Sequence, residues 1–259
     1  MLRLGRVDFI NTFPVAWALA RHLPAELDVQ EVVGVPTRLN ALLRAGEVDV
    51  ANVSSVEYAR NAEAYVLLPS LCVGSDGAVE SVQLVTEAPL AAVRSIAVTG
   101  ASASSVVLVR TLFPAAEIRA EDASADARLL IGDEALRSAF EDPTPHHDLG
   151  ALWRERTGLP MVFAVWAARA DAPGRARRDR ALADAVAEAT AHSAGVARDA
   201  ASRYGYPAGF LARYFEKLRY RFGERERSGL ARFFELASQS GALESAPPLR
   251  FVDDLARVP

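Results

Sequence analysis

Cysteine occurs once, at Cys72, histidine four times and methionine twice. One thiol forms no internal disulfide, and no cluster has metal-ligand spacing, so a zinc or iron centre is not expected. Uninterrupted apolar runs of bilayer length are missing. The amino-terminal MLRLGRVDFINTFP has no long apolar stretch leading to a small-residue cleavage site. Together these absences predict a cytoplasmic protein with no membrane partner. Lysine is nearly absent, and the formal charge of -4 leaves no basic footprint. Nucleic acid is therefore excluded as a partner, and any anion has to be held by local geometry. Also missing are a GxGxxG opening a helix after the first strand, a Walker-type loop and a GxSxG elbow. Dinucleotide, nucleoside triphosphate and esterase readings lose their support.

What is present is ordinary globular material: 51% hydrophobic and 24% charged residues over 259 positions, enough for one large core or two modest ones. LRLGRVDFI reads as a strand, PVAWALARHL as a helix begun by proline, and DVQEVVGV as a strand. TRLNALLRAG is a helix stopped by Gly46, followed at once by the strand VDVANV and a helix over VEYARNA. YVLLPSLCVG and VESVQLVTEAP add extended segments. A second, similar series opens at Ser95 with strand SIAVTG, helix VVLVRTLF, and strands AEIRA and ARLLIG leading into DEALRSAF. DPTPHHDLG reads as a polar loop with His146 and His147 in solvent, LGALWRERTG as a helix ending at Gly158, and LPMVFAVWAARA as a long strand. From Asp179 the pattern is helical, with RYRFG the one further strand.

The pattern predicts an α/β chain of two lobes. Extended segments near 79–89 and 160–170 act as hinges, with 1–88 and 170–259 forming one lobe, 89–169 the inserted lobe, and a ligand cleft between them. Small polar residues stand after strands and before helices. Asn11 and Thr12 follow the first strand, Ser54 and Ser55 end VDVANVSS, and Thr99, Ser102, Ser104 and Ser105 occupy the turn after SIAV. Free N–H groups at helix starts suit carboxylates or phosphates, although any one serine there also reads as a plain N-cap. Asp133 reads as an N-cap of EALRSAF or as a cleft residue. Ser81 faces either the cleft or the sheet interior, and Phe163 and Trp166 read as core. The aromatics Phe210, Tyr214, Phe233 and Phe234 either pack on the first lobe or form a dimer face, leaving a monomer or a homodimer open.

The segments DFINTFPVAWAL, LLRAGEVDVANVSSVEY, YVLLPSLCVGSDGAVESVQLV, SIAVTGASASSVVLVRTL, ARLLIGDEAL and DLGALWRERTGLPMVFAVWAAR together resemble the chorismate dehydratases of the futalosine route to menaquinone. The resemblance covers most of residues 8 to 169. It implies a type II periplasmic-binding-protein-like fold and cofactor-independent loss of water from chorismate, a small dianion, to give 3-enolpyruvylbenzoate. It also implies catalytic roles for Asn11 and Ser81. Ser54, Ser55, Ser104 and Ser105 follow as carboxylate binders, with Thr12 keeping the hydroxyl beside Asn11. Thr99, Ser102 and Asp133 are expected to join them in binding substrate, and since no general base stands out among these residues, the substrate's own enolpyruvyl carboxylate is expected to act as base. Two rivals share the fold: a sister enzyme making a dihydroxynaphthoate, which would need a catalytic histidine, and a non-enzymatic solute-binding protein for a small aromatic or dicarboxylic acid.

Overall fold

The computed structural model describes residues 1–22, 28–171, 183–184, 186–187 and 192–252. Strand β1 (Leu2–Val7) leads through a single 3-10 turn (Ile10–Thr12) into α1 (Phe13–His22), and β2 (Val29–Gly34) follows. Then come α2 (Pro36–Ala45), β3 (Val50–Ser54), α3 (Ser55–Arg60) and β4 (Tyr65–Ser75). The next stretch holds β5 (Val82–Val85), β6 (Ser95–Ala97), α4 (Ala103–Leu112), β7 (Glu117–Arg119), β8 (Ala127–Ile131) and α5 (Gly132–Glu141). β9 (His146–Asp148), α6 (Leu149–Thr157) and β10 (Met161–Arg169) complete it. The carboxyl-terminal part contains α7 (Ser193–Tyr204), α8 (Ala208–Lys217), β11 (Leu218–Arg221) and α9 (Glu224–Gln239).

Two sheets result, one ordered β11-β4-β10-β3-β1-β2 and the other β7-β6-β8-β5-β9. β1, β2 and β3 pair in parallel, whereas β10 inserts antiparallel between β3 and β4. A strand covered on both faces has no solvent side for polar residues, which is why β10 runs as MVFAVWAAR and β3 as a fully buried VANVS. The edge strand β2 has only half-buried and exposed positions instead. Local signals set the helix ends. Pro36 starts α2, and Gly46 ends it at positive φ with its N–H on the carbonyls of Leu42 and Leu43.

The lobe boundaries move relative to the sequence reading. β5 pairs with β8 and β9 in the second sheet, and β10 belongs to the first, so the chain crosses between sheets after Ser75 and before Met161. Alternation marks a strand but not the sheet it joins. His146 and His147 are likewise not in a solvated loop. They form β9 against Val85 and Leu84, and the His146 ring bonds the Ser138 hydroxyl at 2.8 Å. Of the expected helix RALADAVAEATAHSAGVARDAASRYG, the first part lies largely outside the described residues and the last part is α7.

Helix α9 ties the halves together. Phe234 stacks on Tyr58 at 6.3 Å between centroids, and Phe233 meets Trp153 of α6 edge-on at 5.7 Å, each pair adding about 0.5–1.5 kcal/mol beyond its burial. A Cβ at Gly229 would fall 2.1 Å from the Pro160 carbonyl oxygen, so only glycine lets α9 lie against the loop entering β10. Tyr214, Phe233 and Phe234 are fully buried and belong to the core rather than to a surface. No described helix is long and apolar enough to cross a membrane.

Candidate active site

A cavity of about 670 Å³, its open mouth included, lies between the two sheets. From the first come Val7, Phe9, Asn11, Thr12, Asn52, Val53, Ser54, Val73, Phe163 and Ala164. From the second come Ser81, Val82, Ala101, Ser102, Ser105, Ile131 and Gly132. None of the described lining residues carries a charge. Whatever polar recognition occurs here comes from hydroxyls, amides and backbone N–H groups.

Asn11 sits in the 3-10 turn, with its carbonyl oxygen Oδ1 buried and unpartnered. Its backbone oxygen accepts the Tyr220 hydroxyl at 2.7 Å, which anchors the turn from the β11 side. Ser81 lies just ahead of β5, is 1% exposed and lines the cavity. Its N–H donates to the Val79 carbonyl at 2.7 Å, and its own carbonyl accepts the Gly132 N–H at 2.7 Å. Tyr214 is buried beside the Ser81 hydroxyl. Burial pushes its phenol well above the usual tyrosine range, against the opposing pull of Ser81, so the phenol stays protonated and able to donate.

The serines divide between cavity and packing. Ser102 caps α4, accepting the Ser105 N–H at 3.3 Å, and both side chains line the cavity. Ser104, one position round the helix, points away. Its hydroxyl joins those of Ser54 at 2.7 Å and Ser55 at 2.8 Å, also accepting the Val56 N–H at 3.3 Å. Ser55 and Ser104 do not line the cavity. They form a buried hydroxyl seam between α3 and α4 that joins the two halves, each net bond worth roughly 0.5–1.5 kcal/mol. Ser54 belongs to both seam and cavity.

Three further expectations are redirected. Thr12 borders the cavity, but its hydroxyl donates to the Val7 carbonyl at 2.6 Å and serves the turn. Thr99 accepts the Ala101 N–H at 3.2 Å and lines a neighbouring groove with Arg60, Arg110 and Arg119 rather than the cavity. Asp133 neither caps α5, whose N-cap position is Ile131, nor enters the cavity. Its Oδ1 reaches across to accept the Ile10 N–H at 3.0 Å.

Burial raises the Asp133 carboxyl above its usual range, the Ile10 N–H opposing and Asp8 adding to the rise. An acid raised on folding destabilises the fold most where it is ionised in both states. Asp133→Asn keeps an acceptor for Ile10 and removes the buried charge. The variant is therefore expected to melt above wild type at pH 7 and to converge with it below the ordinary aspartate value of 3.8, as read by thermal unfolding against pH.

Two of the lining residues that escaped the sequence reading bear on recognition. Phe163, assigned to the core, is half-buried at a register shift between Val162 and Ala164 and walls the cavity. Asn52, in the centre of buried β3, has an amide nitrogen without a partner. A polar residue inside an otherwise apolar VANV run was the available signal. An orphaned buried donor costs about 1–3 kcal/mol unless a ligand accepts from it. Asn52→Leu is thus expected to leave the unliganded protein as stable as wild type or more so, while reducing the melting-temperature rise on adding ligand; a preserved ligand shift would overturn this.

The remaining aromatic, Trp166, is buried as expected. Burial also raises the Cys72 thiol, keeping it unreactive inside the first sheet. Among the described residues no group of three or more His, Cys, Asp or Glu is placed to hold a metal.

The fold is shared with solved structures of low sequence identity. A protein of Archaeoglobus fulgidus superposes with TM-score 0.78 at 20% identity, covering 93% of this chain and 98% of that one. The periplasmic aliphatic sulphonate binding protein of Escherichia coli gives TM-score 0.65 at 15%, covering 99% and 96%. The architecture is thus that of periplasmic binding proteins. Curated relatives are nearer in sequence. A chorismate dehydratase of Thermus thermophilus is 37% identical over 78% of this chain and 84% of its own length, and one of Campylobacter jejuni is 33% identical over 62% and 64%. The family model described as menaquinone biosynthesis matches residues 2–239, a span containing every cavity-lining residue, and the chain belongs to that family.

Proposed function

We propose that the cavity binds chorismate and eliminates water from it to give 3-enolpyruvylbenzoate, without cofactor, in the cytoplasm. The observation that carries this reading is an inter-sheet cavity whose polar groups are all neutral, joined to relatives that carry the name chorismate dehydratase. Chorismate presents two carboxylates on a compact, largely apolar ring. The start of α4, with its N–H groups and the Ser102 and Ser105 hydroxyls, suits one carboxylate, while Phe9, Phe163, Val73 and Val82 suit the ring.

The ring carbon bearing the ether loses its proton, the electron pair left behind becomes a ring double bond, and the neighbouring carbon expels its hydroxyl. The departing hydroxide takes up that proton as water, and the ring becomes aromatic. Negative charge builds toward the ring carboxylate during proton loss, so donors placed there accelerate the step. Among the described residues none that lines the cavity is a carboxylate or a histidine. The enolpyruvyl carboxylate of the substrate then acts as base, and Asn11 and Ser81 hold the transition state. Asn11 Oδ1, buried without a partner, offers an acceptor for the ring hydroxyl before it leaves. The absence of histidine from the lining counts against the sister enzyme's chemistry.

The test is to mix purified protein with chorismate and follow products by chromatography and mass. A product lighter by one water, absorbing as an aromatic ring, supports the dehydratase. Chorismate bound and returned unchanged would move the reading to a solute receptor.

A further inference from the structure

Glu80 is the only non-glycine residue at positive φ (59°) among those described, and it immediately precedes Ser81. A side chain in that region is strained and persists only where the surroundings over-determine it. Here the surroundings are one carboxylate. Asp148, at the end of β9, accepts the N–H of Val79 at 3.0 Å and that of Glu80 at 2.6 Å. It also accepts the Gln83 side-chain amide at 3.0 Å and, as N-cap of α6, the Ala151 N–H at 3.0 Å. The Gln83 amide also donates to the Glu80 carbonyl, closing the loop from its other side. Glu80's own side chain is held by Lys217 from α8.

The clasp is pressed tight. A Cβ at Gly150, in the first turn of α6, would fall 2.5 Å from the Gly77 carbonyl and 2.7 Å from the Ser75 hydroxyl. None of the hydrogen-bond donors to Asp148 is cationic, and burial raises its carboxyl while the surrounding N–H groups pull it back. A buried charge of this kind costs the fold more than an apolar residue would. What it does in return is bend the chain so that residue 81 meets the cavity.

We propose that Asp148 is a positioning residue for the reaction, fixing the strained Val79–Glu80 turn so that the Ser81 hydroxyl stands at the substrate. The proposal rests on the reading of Ser81 given under Proposed function. Asp148 itself does not line the cavity. Its effect should therefore pass entirely through Ser81.

The experiment is a set of coupled variants assayed for chorismate turnover. Asp148→Asn turns an acceptor toward N–H donors as an amide, and kcat is expected to fall by about 10–100-fold with KM nearly unchanged. In the Ser81→Ala background the same change is expected to cost less than about twofold, because contacts acting through one group are not additive. Glu80→Gly added to Asp148→Asn is expected to restore much of kcat, since glycine adopts the left-handed turn without a clasp. Glu80→Gln, which loses the same charge and keeps the strain, is expected to restore nothing. Full additivity with Ser81→Ala, or failure of the glycine rescue, overturns the proposal. Unaltered turnover by Ser81→Ala alone overturns the underlying reading of Ser81 as well, so the two failures are distinguishable. Should Asp148→Asn not fold, Gln83→Ala removes a single donor from the same clasp. The same cycle then applies, with an expected loss of about 3–10-fold.

Discussion

Asn11→Ala is expected to lower kcat for chorismate by about two to three orders of magnitude while KM changes little, and Ser81→Ala to do nearly the same. The magnitude is that of removing one preorganised donor or acceptor from a water-excluded site, roughly 2.7–4 kcal/mol. Among the described residues the cavity has no charged lining group to compensate, so each neutral group carries a large share of the transition-state stabilisation. Asn11 is fixed by its own turn, with Tyr220 holding its backbone oxygen and Thr12 tying the turn to Val7. Truncating the side chain therefore removes chemistry without loosening the backbone that presents it. The check is steady-state kinetics beside a melting curve. Wild-type kcat in a folded Asn11→Ala protein would remove Asn11 from the mechanism.

Much of this arrangement was legible in the sequence, because the signals involved are local. Gly46 and Gly158 at helix ends and the apolar runs of β3 and β10 each act through their own backbone or their own burial. Small polar residues after strands also marked turns that line the cavity. What no local signal resolves is direction within a turn. Ser104 and Ser105 are adjacent, so successive side chains on a helix diverge by about 100°, and one seals the seam while the other faces the cavity. Gly132 and Asp133 divide in the same way, the first at the cavity wall and the second on Ile10.

Non-local pairing accounts for the other differences. Whether β5 joins the first or the second sheet depends on β8 and β9, more than 40 residues downstream in sequence. The backbone of Glu80 is set by Asp148, 68 positions away, and glutamate gives no hint of a left-handed conformation. The strained position and the clasp that fixes it become visible together only once the chain is folded.

A negative charge placed on the cavity wall should abolish binding of a dianion. Ser105 is 2% exposed and lies in the first turn of α4, where an acidic residue is compatible with the helix dipole, so Ser105→Asp is expected to fold. Two unit charges about 5 Å apart at an effective dielectric near 20 repel by roughly 3 kcal/mol, more than a hundredfold in affinity for each substrate carboxylate that near. Ser105→Ala removes only a hydroxyl and is expected to weaken binding by about 3–10-fold. The two variants thus separate charge from lost hydrogen bonding. Burial favours the neutral form of the introduced acid and raises its pKa, so affinity for the dianion is expected to recover as pH falls, while the substrate carboxylates stay ionised. Titration calorimetry with chorismate across that range reads both effects. Wild-type affinity in Ser105→Asp at neutral pH would place the dianion somewhere other than this cavity.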